Sequence, residues 1–421
     1  MDILLSSGST LVIIAAVVGF FMAWGIGAND VANAMGTSVG SKALTIKQAI
    51  IIAMVFEFAG AYLAGGEVTS TIRKGIIDAS FFIDAPELLV FGMISSLFAA
   101  ATWLLIASAL GWPVSTTHSI VGAIVGFAAM GVSVDAVTWS KVGGIVGSWI
   151  ITPLISGVIA FLIFNSAQKL IFDTEKPLEQ AKRWVPLYMF LAGFVLALVT
   201  IKKGLKHLNL HIDSPNDFIY AAIVAVIVSI IGKIFISRIK FDETAAKTTH
   251  YANVEKVFAI LMIVTACCMA FAHGSNDVAN AIGPLAAVAS IVDNGGQIAS
   301  KSAIAWWILP LGGFGIVAGL ALFGHKVIAT IGQGITHLTP SRGFAAELAA
   351  ACTVVIASGA GLPISTTQTL VGAVLGVGMA RGIAAINLGV VRNIVVSWVI
   401  TLPVGAGLSI VFFWMMKGMF M

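Results

Sequence analysis

Charged residues are scarce in this chain. Asp, Glu, Lys and Arg make up 10% of its 421 residues, whereas apolar residues make up 59%. A soluble domain carries about a quarter charged residues, because its surface must face water. So few charges cannot cover a water-facing surface, whereas a surface in contact with lipid needs none. The composition therefore excludes an ordinary soluble domain and indicates an integral membrane protein, in agreement with a mean hydropathy of +1.02.

The chain also has few cysteines and only a small net positive charge. The only three cysteines, Cys267, Cys268 and Cys352, lie inside apolar segments, so neither a disulfide framework nor a cysteine-based metal site is indicated. The formal net charge of +4 is too small and too scattered to indicate a nucleic-acid partner. No basic region precedes the first apolar segment, so we expect a retained helix there and not a cleaved signal peptide.

Twelve apolar segments predict an all-α polytopic membrane protein. Most are close to the roughly 20 residues that cross a hydrocarbon core of about 30 Å. The first and eighth are longer and contain glycines, so we expect each of them to be broken or bent. The segments lie near residues 8–35, 46–68, 87–110, 113–131, 142–164, 184–200, 217–236, 252–282, 303–323, 344–360, 363–380 and 390–416.

Two motifs each occur twice and in the same order. GANDVANAMG at residues 27–36 returns as GSNDVANAIG at 274–283, and PVSTTH at 113–118 returns as PISTTQ at 363–368. The offsets between the copies are 274 − 27 = 247 and 363 − 113 = 250 residues. Five segments in each copy and two linking segments make an odd number of steps, which turns the second copy upside down. The sequence therefore predicts two inverted five-helix repeats with broken or re-entrant helices, and a site near the midplane, as in secondary transporters.

The repeat also predicts the organisation of the chain. We expect the first repeat at residues 1–165, two linking helices and cytoplasmic loops at 166–250, and the second repeat at 251–421. The distribution of Lys and Arg favours an orientation with the N-terminus outside.

The duplicated Pro-x-Ser-Thr-Thr motif predicts a pair of oxyanion sites. Proline ends the preceding helix, and the following hydroxyl groups cap the next one. A helix N-terminus then lies inside the membrane, where it binds phosphate-like anions without a basic side chain. The alternative is a hydroxyl-capped kink, which is common in membrane helices, but its duplication favours the oxyanion site. The predicted substrate-binding residues are Ser115, Thr116, Thr117, Ser365, Thr366 and Thr367.

The duplicated Asn-Asp-Val-Ala-Asn motif predicts a cation site. A carboxylate in the bilayer costs about 2.5 to 3.5 kcal/mol or more, so it must pair, take up a proton or hold a cation. These segments contain no Lys or Arg, and their oxygen ligands suit a hard cation such as sodium. The alternative is an Asp–Asn hydrogen-bonded pair between helices. The predicted sodium ligands are Asn29, Asp30, Asn33, Asn276, Asp277 and Asn280.

Two glutamates in apolar segments have no counterpart in the repeat. Glu57 aligns near Ile316 and Glu347 near Leu97, so we expect coupling or gating at these asymmetric positions. A glutamate that snorkels or faces water is the alternative. His273 lies beside a motif and is interpreted as an ordinary hydrogen-bonding histidine, whereas Arg73 is expected to be solvated at a membrane boundary.

These doubled motifs resemble those of the inorganic phosphate transporter (PiT) family of sodium- or proton-coupled phosphate symporters. The similarity runs from about Leu11 to Trp414 and includes Phe56-Glu57 and the segment TIRKGIID at residues 71–78. The resemblance implies that the Ser-Thr-Thr hairpins bind phosphate, that Asn-Asp-x-x-Asn binds sodium, and that Glu57 and Glu347 matter for transport. It also implies a homodimer in the lipid bilayer. The short loops at 165–183 and 201–216 favour a multi-pass protein of a bacterial or archaeal plasma membrane. We expect no cofactor besides co-transported sodium.

The charge balance favours sodium as the coupling ion but leaves alternatives open. Phosphate carries one to two negative charges and Asp30 and Asp277 add two, so about two or more bound cations are needed to approach neutrality. Protonation of both aspartates would also serve, which keeps a proton-coupled phosphate or sulfate symporter as the alternative. An intramembrane aspartyl protease also needs two membrane aspartates, but it requires neither the asparagines nor the inverted repeat. An ion channel would leave the paired oxyanion sites unexplained.

Overall fold

The computed structural model describes residues 2–110, 112, 114–204, 215–239, 247–298, 304–331, 338–382 and 388–421. These residues are almost entirely helical, and between them they contain no strand beyond an isolated bridge that pairs Ile77 with Val137. The helices are α1 (Asp2–Gly40), α2 (Ile46–Ala64), α3 (Gly66–Lys74), α4 (Pro86–Ala109), α5 (Thr116–Gly131), α6 (Trp139–Ala167), α7 (Pro177–Lys202), α8 (Asn216–Ser237), α9 (Lys247–Asp293), α10 (Ile308–Ile331), α11 (Pro340–Gly359), α12 (Thr366–Ala380) and α13 (Leu388–Phe420).

The predicted all-α polytopic membrane architecture is confirmed. Ten of the described helices are long and apolar enough to cross a membrane, and two shorter apolar helices, α5 and α12, contain 16 and 15 residues. Each of the twelve predicted segments corresponds to one of these helices. Several boundaries differ from the predicted ones, the most at the end of α9, which was predicted at 282 and lies at Asp293. The segment predicted at 46–68 ends at Ala64, and a separate helix, α3, begins at Gly66.

The first and eighth segments were expected to be broken or bent; a break is wrong, whereas a bend stays a prediction. Helices α1 and α9 run without interruption for 39 and 47 residues. The glycines within them allow close helix contact and do not end the helix. A Cβ atom added at Gly27 would lie 1.9 Å from the backbone oxygen of Ile316, so only glycine permits α10 to approach α1 this closely. The helical structure is interrupted instead just before Ser115 and Ser365. Gly111 and Pro113 lie outside the described residues.

Helix contacts between the two copies come in related pairs. Helix α1 packs on α10 and helix α9 packs on α2, through glycines that abut a backbone oxygen. If each residue is replaced by its counterpart in the other copy, each of these contacts becomes another of the four. The four contacts join Gly27 to Ile316, Gly274 to Glu57, Gly319 to Trp24, and Gly60 to Phe271. The boundaries of the two repeats at 165 and 251 remain a prediction.

The buried interior is formed by the helices that carry or adjoin the motifs. In the most apolar 18-residue window of α4 and of α11, 78% of the residues are buried, against 22% in α8 and in α13. The peripheral helices therefore present apolar side chains that suit a lipid environment, whereas the motifs lie in the protein interior.

Candidate functional site

Each Ser-Thr-Thr segment begins a short helix. The Ser115 hydroxyl accepts a hydrogen bond from the backbone N–H of His118 at 3.2 Å, and the Ser365 hydroxyl accepts from that of Gln368 at 3.3 Å. Both serines have extended backbone angles and are the N-caps of α5 and α12. The motif therefore sets two buried helix N-termini inside the apolar interior, as the sequence predicted for the local structure.

The cation motif of each copy contacts the Ser-Thr-Thr motif of the other copy. The Asn33 amide donates to the Thr367 hydroxyl at 2.7 Å. The Asn280 amide donates to the hydroxyls of Thr116 and Thr117 at 3.2 and 3.1 Å. All five side chains are buried. All four predicted motifs are thus joined directly by hydrogen bonds that cross between the copies.

The first asparagine of each cation motif contacts a serine that the motif analysis missed. Asn29 donates to the Ser108 hydroxyl at 2.9 Å, and Asn276 donates to the Ser358 hydroxyl at 3.0 Å. The two serines are 358 − 108 = 250 residues apart, which is the offset of the Ser-Thr-Thr motifs. This shared offset is the signal that could have identified them. Ser108 lies on α4 and Ser358 on α11, so the two serines fix the asparagines to the helices that precede α5 and α12.

Several buried oxygen atoms at this site receive no hydrogen bond from a described residue. They include the side-chain oxygens of Asn276 and Asn280, one carboxylate oxygen of Asp277, and both carboxylate oxygens of Asp30, which lies beside Thr116. The other Asp277 oxygen accepts from the Thr366 hydroxyl at 2.8 Å. Buried acceptors without donors cost about 1–3 kcal/mol each, and more when charged. Such a set of oxygens suits a hard cation better than it suits an anion.

The two aspartates approach each other together with a histidine. Ligand atoms of Asp30, His273 and Asp277 all lie within 4.8 Å of one another, and all three residues are buried. Two carboxylates at this distance repel each other strongly in a medium of low dielectric constant. The arrangement therefore needs positive charge, either as bound cations or as protons.

His273 links Glu57 to Asp277. Its two ring nitrogens lie 3.3 Å from Glu57 Oε1 and 3.0 Å from Asp277 Oδ2, with all three side chains inaccessible to solvent. The interpretation of His273 as an ordinary hydrogen-bonding histidine missed this position between two carboxylates. The corresponding residues in the other half are both apolar, because Ile26 aligns with His273 and Ile316 with Glu57. The contact between His273 and Glu57 is therefore present on one side of a symmetric helix arrangement.

Glu347 lies in a cage of hydroxyl groups. It accepts hydrogen bonds from Thr37, from Ser38 at 2.6 Å and from Thr265 at 2.8 Å, so it joins α11 to α1 and α9. Glu57 and Glu347 both have 0% exposure, so the alternative that they snorkel or face water is wrong. Their predicted role in coupling or gating stays a prediction.

Comparison with known proteins agrees with this arrangement. A family model described as the phosphate transporter family matches residues 26–409. A Haemophilus influenzae protein named "Putative phosphate permease" is 59% identical over 425 residues, which cover all of both chains. The Arabidopsis thaliana "Inorganic phosphate transporter 2-1, chloroplastic" is 45% identical over 94% of this chain and 70% of its own length.

A solved structure shares the fold. The protein titled "The sodium-dependent phosphate transporter" superimposes with a TM-score of 0.90 and 41% identity, covering 97% of this chain and 99% of its own. The family match at residues 26–409 includes the segments that carry the four motifs.

Proposed function

This chain belongs to the phosphate transporter family and is a multi-pass membrane protein that transports phosphate, and we propose that it does so by sodium-coupled symport. The observation that carries the proposal is the set of buried oxygens around Asp30 and Asp277 that receive no described hydrogen bond. Sodium bound there would satisfy these oxygens and offset the repulsion between two carboxylates. The sodium-dependent transporter of the same fold supports this assignment.

Phosphate is held, in this proposal, by the hydroxyls of the two Ser-Thr-Thr motifs and by the N-termini of α5 and α12. The hydroxyls and the helix dipoles bind the oxyanion without a basic side chain. Asn33 and Asn280 donate to these threonines, and the side-chain oxygen of Asn280 is one of the buried acceptors that receive no described hydrogen bond. Sodium and phosphate are thereby linked through Asn280, as well as through charge balance, so each ligand strengthens the binding of the other.

The proposal extends to the setting of the protein. We place it in the plasma (inner) membrane of a bacterium or archaeon, as a homodimer in which each protomer works by alternating access between its two repeats. The close bacterial relative supports the location. Native mass measurement of the chain in lipid nanodiscs tests the dimer, which a purely monomeric species at working concentration would refute.

Phosphate uptake into proteoliposomes tests the coupling ion. We expect uptake with an inward sodium gradient, little with a proton gradient alone, and weak competition by sulfate. Proton-coupled phosphate or sulfate symport is the second candidate, favoured by His273 between two carboxylates. Phosphate uptake driven equally well by a proton gradient without sodium would make proton coupling the favoured candidate and sodium coupling the alternative.

Removal of a threonine hydroxyl should weaken phosphate binding. Thr117→Ala or Thr367→Ala should cost about 0.5 to 3 kcal/mol, the range for a hydrogen bond to a charged group or a buried group left without its partner. We expect the larger effect at Thr367, because the Thr117 hydroxyl already donates to the backbone oxygen of Ile364 at 2.9 Å. Equilibrium phosphate binding measures the loss, and Thr367→Ser, which keeps the hydroxyl, is the control. Unchanged phosphate affinity with altered sodium dependence would contradict the assignment.

Loosening the Glu347 cage should slow the transport cycle and leave phosphate affinity unchanged. In Glu347→Gln the amide nitrogen cannot accept a hydrogen bond, so a hydroxyl such as that of Thr265 loses its acceptor. If the cage closes one end of the core, we expect the maximal uptake rate to fall by about tenfold, the equivalent of about 1.4 kcal/mol. Glu255→Gln is the matched control, because Glu255 also joins α9 to α11, through Ser341. A change in phosphate affinity with an unaltered maximal rate would argue against gating.

A further inference from the structure

The chain between α11 and α12 leads directly into the proposed phosphate site. Residues 361–364, here called the tip segment, connect the end of α11 to Ser365, the N-cap of α12. Gly361 has a φ of +71°, a left-handed conformation that favours glycine. The backbone N–H groups of Gly361 and Leu362 donate to oxygens in the last turn of α11 at 2.9 and 3.0 Å. This Schellman arrangement ends α11 and occupies both amides.

The carbonyl oxygens of the tip segment are bound by side chains. Each of the four accepts a hydrogen bond from a different helix, two from hydroxyls, one from an amide and one from an indole. A buried carbonyl without a donor costs about 1–3 kcal/mol, so these bonds determine where the segment lies. The donors are Thr71 of α3 to Gly361 at 2.6 Å, Asn276 of α9 to Leu362 at 3.1 Å, Trp149 of α6 to Pro363 at 3.1 Å, and Thr117 of α5 to Ile364 at 2.9 Å.

Two of the four donors belong to the motifs and two do not. Asn276 lies in a cation motif, and its side-chain oxygen receives no described hydrogen bond, so sodium bound there would act on the same amide group. Thr117 lies in a Ser-Thr-Thr motif, so phosphate would compete with Ile364 O for its hydroxyl proton. Thr71 and Trp149 lie outside both motifs, so they can keep their bonds to the tip segment whether or not these ligands are bound.

Both of these outside donors are carried by packed helices. Trp149 is 4% exposed, and α6 lies so close to α12 that a Cβ atom added at Gly376 would be 2.0 Å from Gly157 O. Helix α3, which carries Thr71, packs on α9. Arg73 of this helix is only 8% exposed, so the expectation that it is solvated at a membrane boundary is wrong. A donor that is itself fixed by packing can hold its partner in place.

We propose that Thr71 and Trp149 are positioning residues for phosphate transport, because they hold the tip segment and thereby set the place and direction of the α12 N-terminus. Hydroxyls and N–H groups in the first turn of α12 can bind one oxyanion only where they converge on it, and a displacement of about 1 Å is enough to weaken such a site. The inference rests on the proposed function in one respect, namely that this helix N-terminus binds phosphate.

Hydrogen–deuterium exchange of the full-length chain in nanodiscs, without sodium or phosphate, tests the positioning itself. Thr71→Val and Trp149→Phe each remove one donor and keep a side chain of related shape. We expect the peptide that spans the tip segment and the first turn of α12 to exchange about fivefold faster in each variant, the effect of one hydrogen bond on local opening. Thr71→Ser, which keeps the hydroxyl, should restore the wild-type rate.

Thr69→Val and Trp184→Phe are the matched controls. The Thr69 hydroxyl lies on the same helix as Thr71 but donates to Gly65 O, just before α3, at 2.6 Å. The Trp184 indole donates within α7 to Gln180 Oε1 at 3.2 Å. Each control removes the same chemical group and leaves the four bonds to the tip segment in place, so exchange of this peptide should not change.

Equilibrium phosphate binding at saturating sodium is the second measurement. A tip segment with a missing donor must be ordered when phosphate binds, so we expect about fivefold weaker phosphate affinity in Thr71→Val and in Trp149→Phe than in the controls. Exchange at the wild-type rate in both variants, or an equal rise in all peptides, would overturn the proposal. Faster exchange of the tip peptide with unchanged phosphate affinity would leave the positioning intact and refute the proposed binding of phosphate at the α12 N-terminus.

Discussion

Replacement of Asp30 by Asn should raise the sodium concentration for half-maximal phosphate uptake by at least about tenfold, more than replacement of Asp277 does. Loss of a group that merely supports a metal ligand already costs about 10- to 100-fold in metal affinity, and Asp30 is proposed to contact the ion directly. Both Asp30 oxygens lack a described hydrogen-bond donor, whereas Asp277 is held by Thr366 and by His273. Both substitutions remove one negative charge, but Asp30 offers two oxygens without a described donor and Asp277 offers one, so Asp30→Asn removes more of the proposed coordination.

Phosphate affinity should fall indirectly in the same variants. Linked ligands lose affinity together, so saturating sodium should restore part of the phosphate affinity in Asp30→Asn. Sodium titrations of phosphate uptake measure both effects. Asp217→Asn is the matched control, because Asp217 is a buried carboxylate far from the motifs in sequence that pairs with Lys202 at 3.1 Å. Unchanged sodium dependence in both Asp30→Asn and Asp277→Asn would remove the sodium site and leave protons as the coupling ion.

The sequence predicted the local structure of the site better than its cross-contacts. Gly, Pro, Ser and Thr in fixed order determine where a helix ends and the next one begins, so the N-caps Ser115 and Ser365 could be placed from the motif alone. A repeat offset identifies which residues correspond, but it does not tell which residues face each other. That Asn33 meets Thr367 of the other copy follows from helix packing, which is a property of the whole fold.

Glycine and isolated charged residues were the less predictable parts. A glycine in a long apolar segment can break a helix or allow a neighbour to approach, and Gly27 does the second because α10 lies against it. In the same way, Arg73 lies near charged neighbours in the sequence, and only the packing of α3 on α9 buries it. His273 was interpreted as ordinary because Glu57, its partner, is more than 200 residues away.

The largest change in stability is expected at His273. His273→Ile would leave the Glu57 and Asp277 carboxylates without their shared partner, and all three side chains have 0% exposure. Removing one member of a buried ionic group costs about 3–5 kcal/mol, because an uncompensated charge remains in the interior. We therefore expect a large fall in the thermal unfolding midpoint of the purified protein, measured without sodium, since a cation bound near Asp277 would mask part of the loss.

A second substitution should then restore stability by removing yet another polar group. Glu57→Ile added to His273→Ile reproduces the pair that the chain already carries in its other half, Ile316 and Ile26. The helix contact there is made in the same way, since Gly27 meets the Ile316 backbone as Gly274 meets that of Glu57. Replacement of buried ionic groups by apolar residues of similar volume is often neutral or stabilising. The double variant should therefore recover most of the loss and leave only Asp277 to be satisfied, by Thr366 and by sodium.

The matched control introduces the opposite defect in the apolar half. Ile26→His places an imidazole where Ile316 offers no carboxylate, so it should destabilise the protein without rescue by sodium. If the Glu57–His273 contact serves coupling and not stability, the double variant should fold as well as the wild type but lose the sodium dependence of phosphate uptake. A double variant that is less stable than His273→Ile alone would show that Glu57 is held by other groups. The asymmetry between the two halves would then need another explanation than a charged pair built into one of two equivalent helix contacts.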